Sequence, residues 1–248
     1  MTDATPDADL HEAPQPRSLP PKPAEAHAVE VARGIAGERI VCTSQGRAQA
    51  AESLAAERPA ACVTAWFLDL YRLERARETV AANAAAEEVI EQVSAGGAAR
   101  ASIEPRFVFA CTPDMPPGPY DLAVLPFAKD GEAELTRDIL QQAIAQLRIG
   151  GHLVAAIDNP RDKWLREQLA ATGETVRVRT AEGEKPETIC YVVTKTRELA
   201  KHRDFSCEIT FRDRDRLLTA ESRPGVFAHR RIDPGARHLL NAVDIAPD

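Results

Sequence analysis

The chain has 248 residues, 44% hydrophobic and 28% charged, with 18 prolines and a net charge of −7, which suits one large domain or a mid-sized domain with extensions. No run approaches the roughly 18 consecutive apolar residues of a membrane helix, and the N-terminus lacks a basic start followed by an apolar core, so a cytoplasmic protein is expected. Cys42, Cys62, Cys111, Cys190 and Cys207 show no CxxC spacing and the six histidines form no HxH or HxxxH pair, so reduced thiols and no metal site are expected.

The charge is unevenly spread. Residues 1–30 are rich in Pro, Ala and acids, carry a net charge of −4 and lack apolar periodicity; they are expected to be a disordered tail outside the fold. From Arg223 to His238 the balance reverses to +3, with Arg223, Arg230, Arg231 and Arg237 against Asp233. This is the segment expected to attract phosphate, although four solvated arginines on a surface would read the same.

From Glu38 onward, short apolar runs alternate with stretches of helical period, as in an α/β domain with a largely parallel sheet. Strands are predicted at 39–42, 62–68, 107–110, 120–125, 152–157, 175–178 and 188–193. A turn at Ser44, Gln45 and Gly46 leads to a helix over 47–56. A second helix is predicted over 71–86, in Arg, Glu and Ala, good helix formers. Pro126 is expected to stop the fourth strand. Leu135, Ile139, Leu140, Ala143, Ile144 and Leu147 share one face of the next helix, which Gly150 or Gly151 would close as a left-handed cap.

Asn159 and Pro160 read as the N-cap and first residue of a helix burying Trp164, Leu165 and Leu169 and ending at Gly173. The last two strands have no room between them for a crossover helix and must be antiparallel. Beyond Glu198, residues 204–211 and 217–220 predict a β-hairpin. Asp233 and Pro234 then open a helix expected to bury Leu239, Leu240 and Val243.

Five strands with helices, then a helix and a closing hairpin, is the order of class I methyltransferases that use S-adenosylmethionine, although other doubly wound folds share the first five strands. The wording PGVFAHRRIDPGARHLL at Pro224–Leu240 resembles the segment that opens the catalytic domain of the small-domain ribosomal RNA guanine-N2 methyltransferases, with Ala228 and Ala236 where that family has Ser or Thr. Larger members carry two methyltransferase-like domains, the first without a cofactor site, and residues 36–198 resemble that first domain. The resemblance implies a seven-stranded Rossmann-like sheet with helices on both faces, followed by the hairpin and first helix of a catalytic domain over 204–248. A glycine-rich strand and an NPPF turn would then follow beyond Asp248. It further implies that Phe227, Asp233 and Gly235 border S-adenosylmethionine in an intact enzyme, and that ribosomal RNA is the partner, through Arg223, Arg230, Arg231 and Arg237.

The family's catalytic motifs are degraded in residues 36–198. Leu125 to Ala128 read LPFA where an active domain has NPPF, and leucine cannot accept the hydrogen bond that the asparagine makes. VCTSQGRAQ keeps one glycine, Gly46, of the cofactor turn, and Asp69 alone stands where an acid would hold the ribose. A helix N-cap at Asp69 and a tight turn at Gly46 are favoured over cofactor binding. No catalytic residue is assigned and no cofactor is expected on this chain. Its expected role is structural or RNA-recruiting, as the N-terminal part of such an enzyme. The alternative is a non-enzymatic module for RNA binding, folding assistance or dimerisation, so homo-oligomers remain among the partners considered. A nucleophile set of Cys111, Asp114 and His152 has no positioning argument, and Trp66 and Trp164 are predicted in the core rather than in a stacking surface.

Overall fold

The computed structural model describes residues 20–83, 90–93, 106–181, 186–213 and 215–242. In chain order the elements are α1 (Pro23–Arg33), β1 (Arg39–Cys42), α2 (Gln49–Glu57), β2 (Cys62–Phe67), α3 (Leu70–Asn83), β3 (Ile90–Val93), β4 (Phe107–Cys111) and β5 (Tyr120–Phe127). They continue with α4 (Ala133–Gln146), β6 (Leu147–Ile157), α5 (Trp164–Ala170), β7 (Val176–Thr180), β8 (Ile189–Thr194), β9 (Cys207–Asp213), β10 (Arg216–Ser222) and α6 (Pro234–Ala242).

The main sheet runs β3-β4-β2-β1-β5-β6-β8-β7. β8 lies antiparallel to β6 and β7, and the other pairings are parallel. The seven strands read from the sequence are all present, in the order of a class I methyltransferase sheet, and β3 adds an eighth at the edge. One face is covered by α1, α2 and α3 through residues such as Val29, Leu54 and Leu73. The other is covered by α4 and α5 through Leu140, Ile144, Leu165 and Leu169. The strand order reverses between β1 and β5, so the crevice at their C-terminal ends is the binding position of a doubly wound fold.

α1 corrects the expected tail. Residues 23–30, most of α1, lie within the stretch read as disordered, yet Ala24, Ala28 and Val29, with Ala32 just beyond it, are buried against the sheet. Pro23 pre-sets the first turn, the Ala24 N–H donates to Asp158 Oδ1 at 2.8 Å, and His27 Nδ1 pairs with Thr188 Oγ1 at 2.8 Å. Residues 1–19 of the expected tail lie outside the described residues.

Pro126 does not stop β5. The β1 pairing ends at Cys42 and Val124, while the β6 pairing continues to Phe127 and Ile157. The Val124 carbonyl accepts from Thr43 N on the β1 side, and Pro126, two residues on, turns its donorless nitrogen to that same side, where β1 has already ended. Gly150 does take a positive φ of +83°, but inside β6, since α4 ends at Leu147 in an extended conformation. A Cβ at Gly151 would stand 2.9 Å from Arg148 O and 3.1 Å from Tyr120 O, so glycine lets β6 close on β5 beside the register shift between Tyr120 and Leu122.

α5 also starts later than expected. Asn159 makes a side-chain turn with Arg161 N, and the Asp162 carboxylate then caps Leu165 N at 2.9 Å. Trp164 is thereby half-buried, outside the core position read for it, whereas Trp66 is buried. The β9–β10 hairpin and α6 form as read, with Asp233 Oδ2 accepting from Ala236 N at 2.8 Å. Leu239, however, is 65% exposed, because the described chain offers α6 no apolar surface to cover it; the Leu240 side chain and Val243 lie outside the described residues.

Asp121 ties the N-terminal ends of the strands together. Its Oδ2 accepts from Glu38 N and Arg39 N at 2.9 Å each, and Oδ1 pairs with Arg148. Burial raises the carboxyl pKa, but the Arg148 and backbone bonds outweigh it and leave the value below normal. A depressed carboxylate contributes stability above its unfolded pKa, about 3.9, and loses it as pH falls through the folded value. Asp121→Asn should therefore cost about 1.5 kcal/mol at neutral pH, and the difference from wild type should shrink in urea titrations as the pH falls below the unfolded value of about 3.9 and through the folded one.

Candidate functional site

Behind β1 the chain forms the loop Thr43–Ala48, the position of a cofactor turn in this fold. The N–H groups of Gln45 to Ala48 all have partners within the protein. Gln45 N donates to Glu25 Oε1 at 3.1 Å, Gly46 N to Ser44 Oγ at 3.0 Å, Arg47 N to Gln49 Oε1 at 2.6 Å and Ala48 N to Ser44 Oγ at 3.1 Å. Glu25 comes from α1, is 0% exposed, and also accepts from Ser44 Oγ and from its own Lys22 N. A carboxylate of the chain thus sits on an amide of the loop, as the carboxylate of a bound amino acid would. Composition hid this contact, because Glu25 falls in the segment discounted as tail. The legible signal was Pro23 followed by small apolar residues at helical spacing.

The crevice beside the loop is a cavity of about 180 Å³ lined by residues including Thr43, Trp66, Asp69, Phe127 and Ile139, smaller than the roughly 300 Å³ at which ligand pockets begin. Thr43 Oγ1, at its wall, is buried without a hydrogen-bond partner among the described residues, which suits a small polar guest such as water. Asp69 accepts from Arg72 N at 3.2 Å at the start of α3, so it acts as the helix cap. A Cβ at Gly46 would stand 2.7 Å from Gln49 Oε1, so a side chain there would displace the Gln49 amide that folds over the turn. Leu125 is 0% exposed in β5, opposite Ala155. These residues do not fit S-adenosylmethionine: the amides are engaged, the cavity is small, and the position that should present an asparagine faces the core.

Cys111 stands at the C-terminal end of β4 and His152 near the N-terminal part of β6, at opposite ends of the sheet. Asp114 pairs with Arg223. Burial pushes the Cys111 thiol up, with Asp69 adding to the effect, and lowers the His152 imidazole with help from Arg148 and Arg177; the three do not form a nucleophile set. Burial likewise pushes the Cys190 thiol to about 12.

Phe227, Asp233 and Gly235 lie in the C-terminal segment, away from this crevice. Phe227 is 84% exposed, and Asp233 is the cap of α6. The segment is clamped to α4. Arg223 pairs with Asp114 at 2.5 Å and Asp138 at 3.4 Å, Gly225 N donates to Glu132 Oε2 at 3.0 Å, and Arg230 donates to Glu134 at 2.8 Å. Its hydrogen bond holds the Glu134 carboxyl below the usual range. Two of the four arginines read as RNA ligands therefore have their charge compensated, Arg223 by Asp114 and Asp138 and Arg230 by Glu134, an acid of the first turn of α4, where the helix dipole favours it. Arg231 and Arg237 are exposed.

The strand order and the two helical layers define a class I methyltransferase fold. The T. thermophilus 16S rRNA N2 G1207 methyltransferase (RsmC), solved with AdoMet and guanosine, superposes with a TM-score of 0.61 at 20% identity, covering 89% of this chain and 52% of that one. The chain thus spans about half the length of that protein, and the likeness shows the fold alone. TrmN from Thermus thermophilus follows with a TM-score of 0.49 at 21% identity, covering 69% of this chain and 48% of that one. No protein-family model and no curated protein matches the chain. Among the described residues, no helix is long and apolar enough to cross a membrane, and no group of three or more His, Cys, Asp or Glu is placed to hold a metal ion.

Proposed function

We propose that residues 20–198 are a methyltransferase-like domain that no longer binds S-adenosylmethionine, and that the chain is the N-terminal part of an rRNA guanine-N2 methyltransferase with a structural or RNA-recruiting role. The observation that carries this reading is the loop after β1, whose N–H groups are taken by Glu25, Ser44 and Gln49. The PGVFAHRR segment and the fold likeness to RsmC support the rRNA part, and residues 204–242 are read as the linker hairpin and first helix of a catalytic half. In that half Phe227, Asp233 and Gly235 would border the cofactor.

The clamp of Arg223 and Arg230 on α4 fixes how that half is presented, while exposed Val226, Phe227 and Leu239 give it an apolar surface to join. The same exposed residues favour one second reading, a non-enzymatic docking, folding-assistance or dimerisation module. The two are separated by a transfer assay with labelled S-adenosylmethionine and rRNA. This chain alone should transfer no methyl group, and a polypeptide that continues through a glycine-rich strand and an NPPF turn should. If the longer polypeptide is also inactive, the enzymatic reading fails.

A further inference from the structure

A second feature lies on α4 beside the clamp. A groove of about 350 Å³ opens between α4, α5 and the linker that follows β8, and Arg137, Gln141, Gln168, Thr172, Lys201 and Arg203 line it above Leu140 and Phe205. Three cations converge there and no carboxylate lines it. By contrast, Arg33, Arg75, Arg148, Arg223 and Arg230 each form an ion pair. In a chain of net charge −7, a groove whose described lining holds three cations and no carboxylate, with Glu134 acting on Arg203 only from outside it, is a local attraction for anions against an acidic background.

Two of the cations are also held in place. The Arg137 guanidinium lies 5.3 Å from the Trp164 ring centroid, and its Nε donates to Gln168 Oε1 at 2.8 Å. The Arg203 guanidinium lies 4.9 Å from the ring centroid of Phe205, a buried residue. Its backbone is fixed to Gln141 in both directions, Arg203 N to Oε1 at 2.9 Å and Nε2 to Arg203 O at 3.0 Å. These cation–π contacts hold the guanidinium groups and reduce the side-chain entropy lost on binding. Flat cationic planes beside neutral amides and a hydroxyl are the chemistry that receives an unpaired base and its phosphate.

We infer that this groove binds a nucleotide of single-stranded RNA, with Arg137, Lys201 and Arg203 on the phosphate and a base against a guanidinium plane. The inference rests on the RNA reading above and assigns the contact to residues that reading did not use. It is tested by fluorescence anisotropy of a labelled ten-nucleotide oligouridylate added to this chain at low salt, with tryptophan emission as a second signal, since Trp164 lies under Arg137 and Trp66 is buried.

Saturable binding at about 100 µM or tighter, with a slope of log affinity against log salt near −2, is expected for three cations on a single strand. Arg137→Gln with Lys201→Gln and Arg203→Gln should weaken it at least about tenfold and flatten the slope, while Arg72→Gln with Arg75→Gln on α3 leaves it unchanged. Should the triple variant unfold, Lys201→Glu alone, at an exposed position, should still weaken binding severalfold. The proposal is overturned by absent binding, by loss confined to Arg231→Ala with Arg237→Ala, by equal affinity for duplex RNA, or by full competition from inorganic phosphate or uridine monophosphate at the oligonucleotide's concentration. Failure here leaves the cofactor reading intact, and cofactor binding by this chain would leave the groove intact.

Discussion

Replacing Leu125 by asparagine, which rebuilds the first residue of an NPPF motif, is expected to destabilise the domain by about 3 kcal/mol and to create no methyltransferase activity. Leu125 is fully buried within β5 and belongs to the apolar layer that contains Leu140, Leu153 and Tyr191. An amide placed there loses the transfer energy of the leucine and finds no free donor or acceptor, because the β5 backbone is engaged with β6. The motif residue of an active enzyme must face substrate at a strand end, whereas here β5 stays paired for two residues beyond. Urea denaturation gives the cost. A variant as stable as wild type would mean that position 125 opens to the crevice and that the pseudo-domain reading is wrong at this point.

Glu25→Ala is the second large effect, expected at about 2 to 3 kcal/mol. The substitution leaves Ser44 Oγ, Gln45 N and Lys22 N without their acceptor, in a site with no solvent exposure at Glu25 itself. Orphaning buried donors costs more than the net value of the bonds they made. Glu25→Gln keeps an acceptor oxygen and should cost about half as much. Even the alanine variant should not gain the cofactor, since Ser44 and Gln49 still hold Gly46 N, Arg47 N and Ala48 N. A change in stability below about 0.5 kcal/mol would show that α1 does not close the loop.

The seven main strands were legible because each is a short apolar run bounded by turn residues, and the hairpin and α6 because their caps are local signals. Three features were not. α1 is stabilised by tertiary contacts of small residues and by Asp158 and Thr188, far away in sequence, so its composition resembled a tail. β3 is a strand of four residues, Ile90–Val93, paired among the described residues to β4 alone, and it carries too few residues for a period to register. The partners of Arg223 and Arg230 come from residues 109 and 96 positions earlier, so sequence charge alone presented both arginines as free.

The sequence displays the departures from the family's motifs, at Leu125 and in the single Gly46, but not what surrounds those positions. That required seeing Glu25 on Gln45 N and Gln49 folded over Gly46. The basic groove was also hidden, since Arg137 and Arg203 are 66 positions apart and Trp164 was read as core.

The central claim, that the chain occupies its own cofactor site, is tested most directly by titrating S-adenosylmethionine into the wild-type protein in a calorimeter. No saturable heat is expected up to millimolar ligand. A dissociation constant in the low micromolar range, about −7 to −8 kcal/mol, would require Glu25, Ser44 and Gln49 to release the loop and would contradict the account.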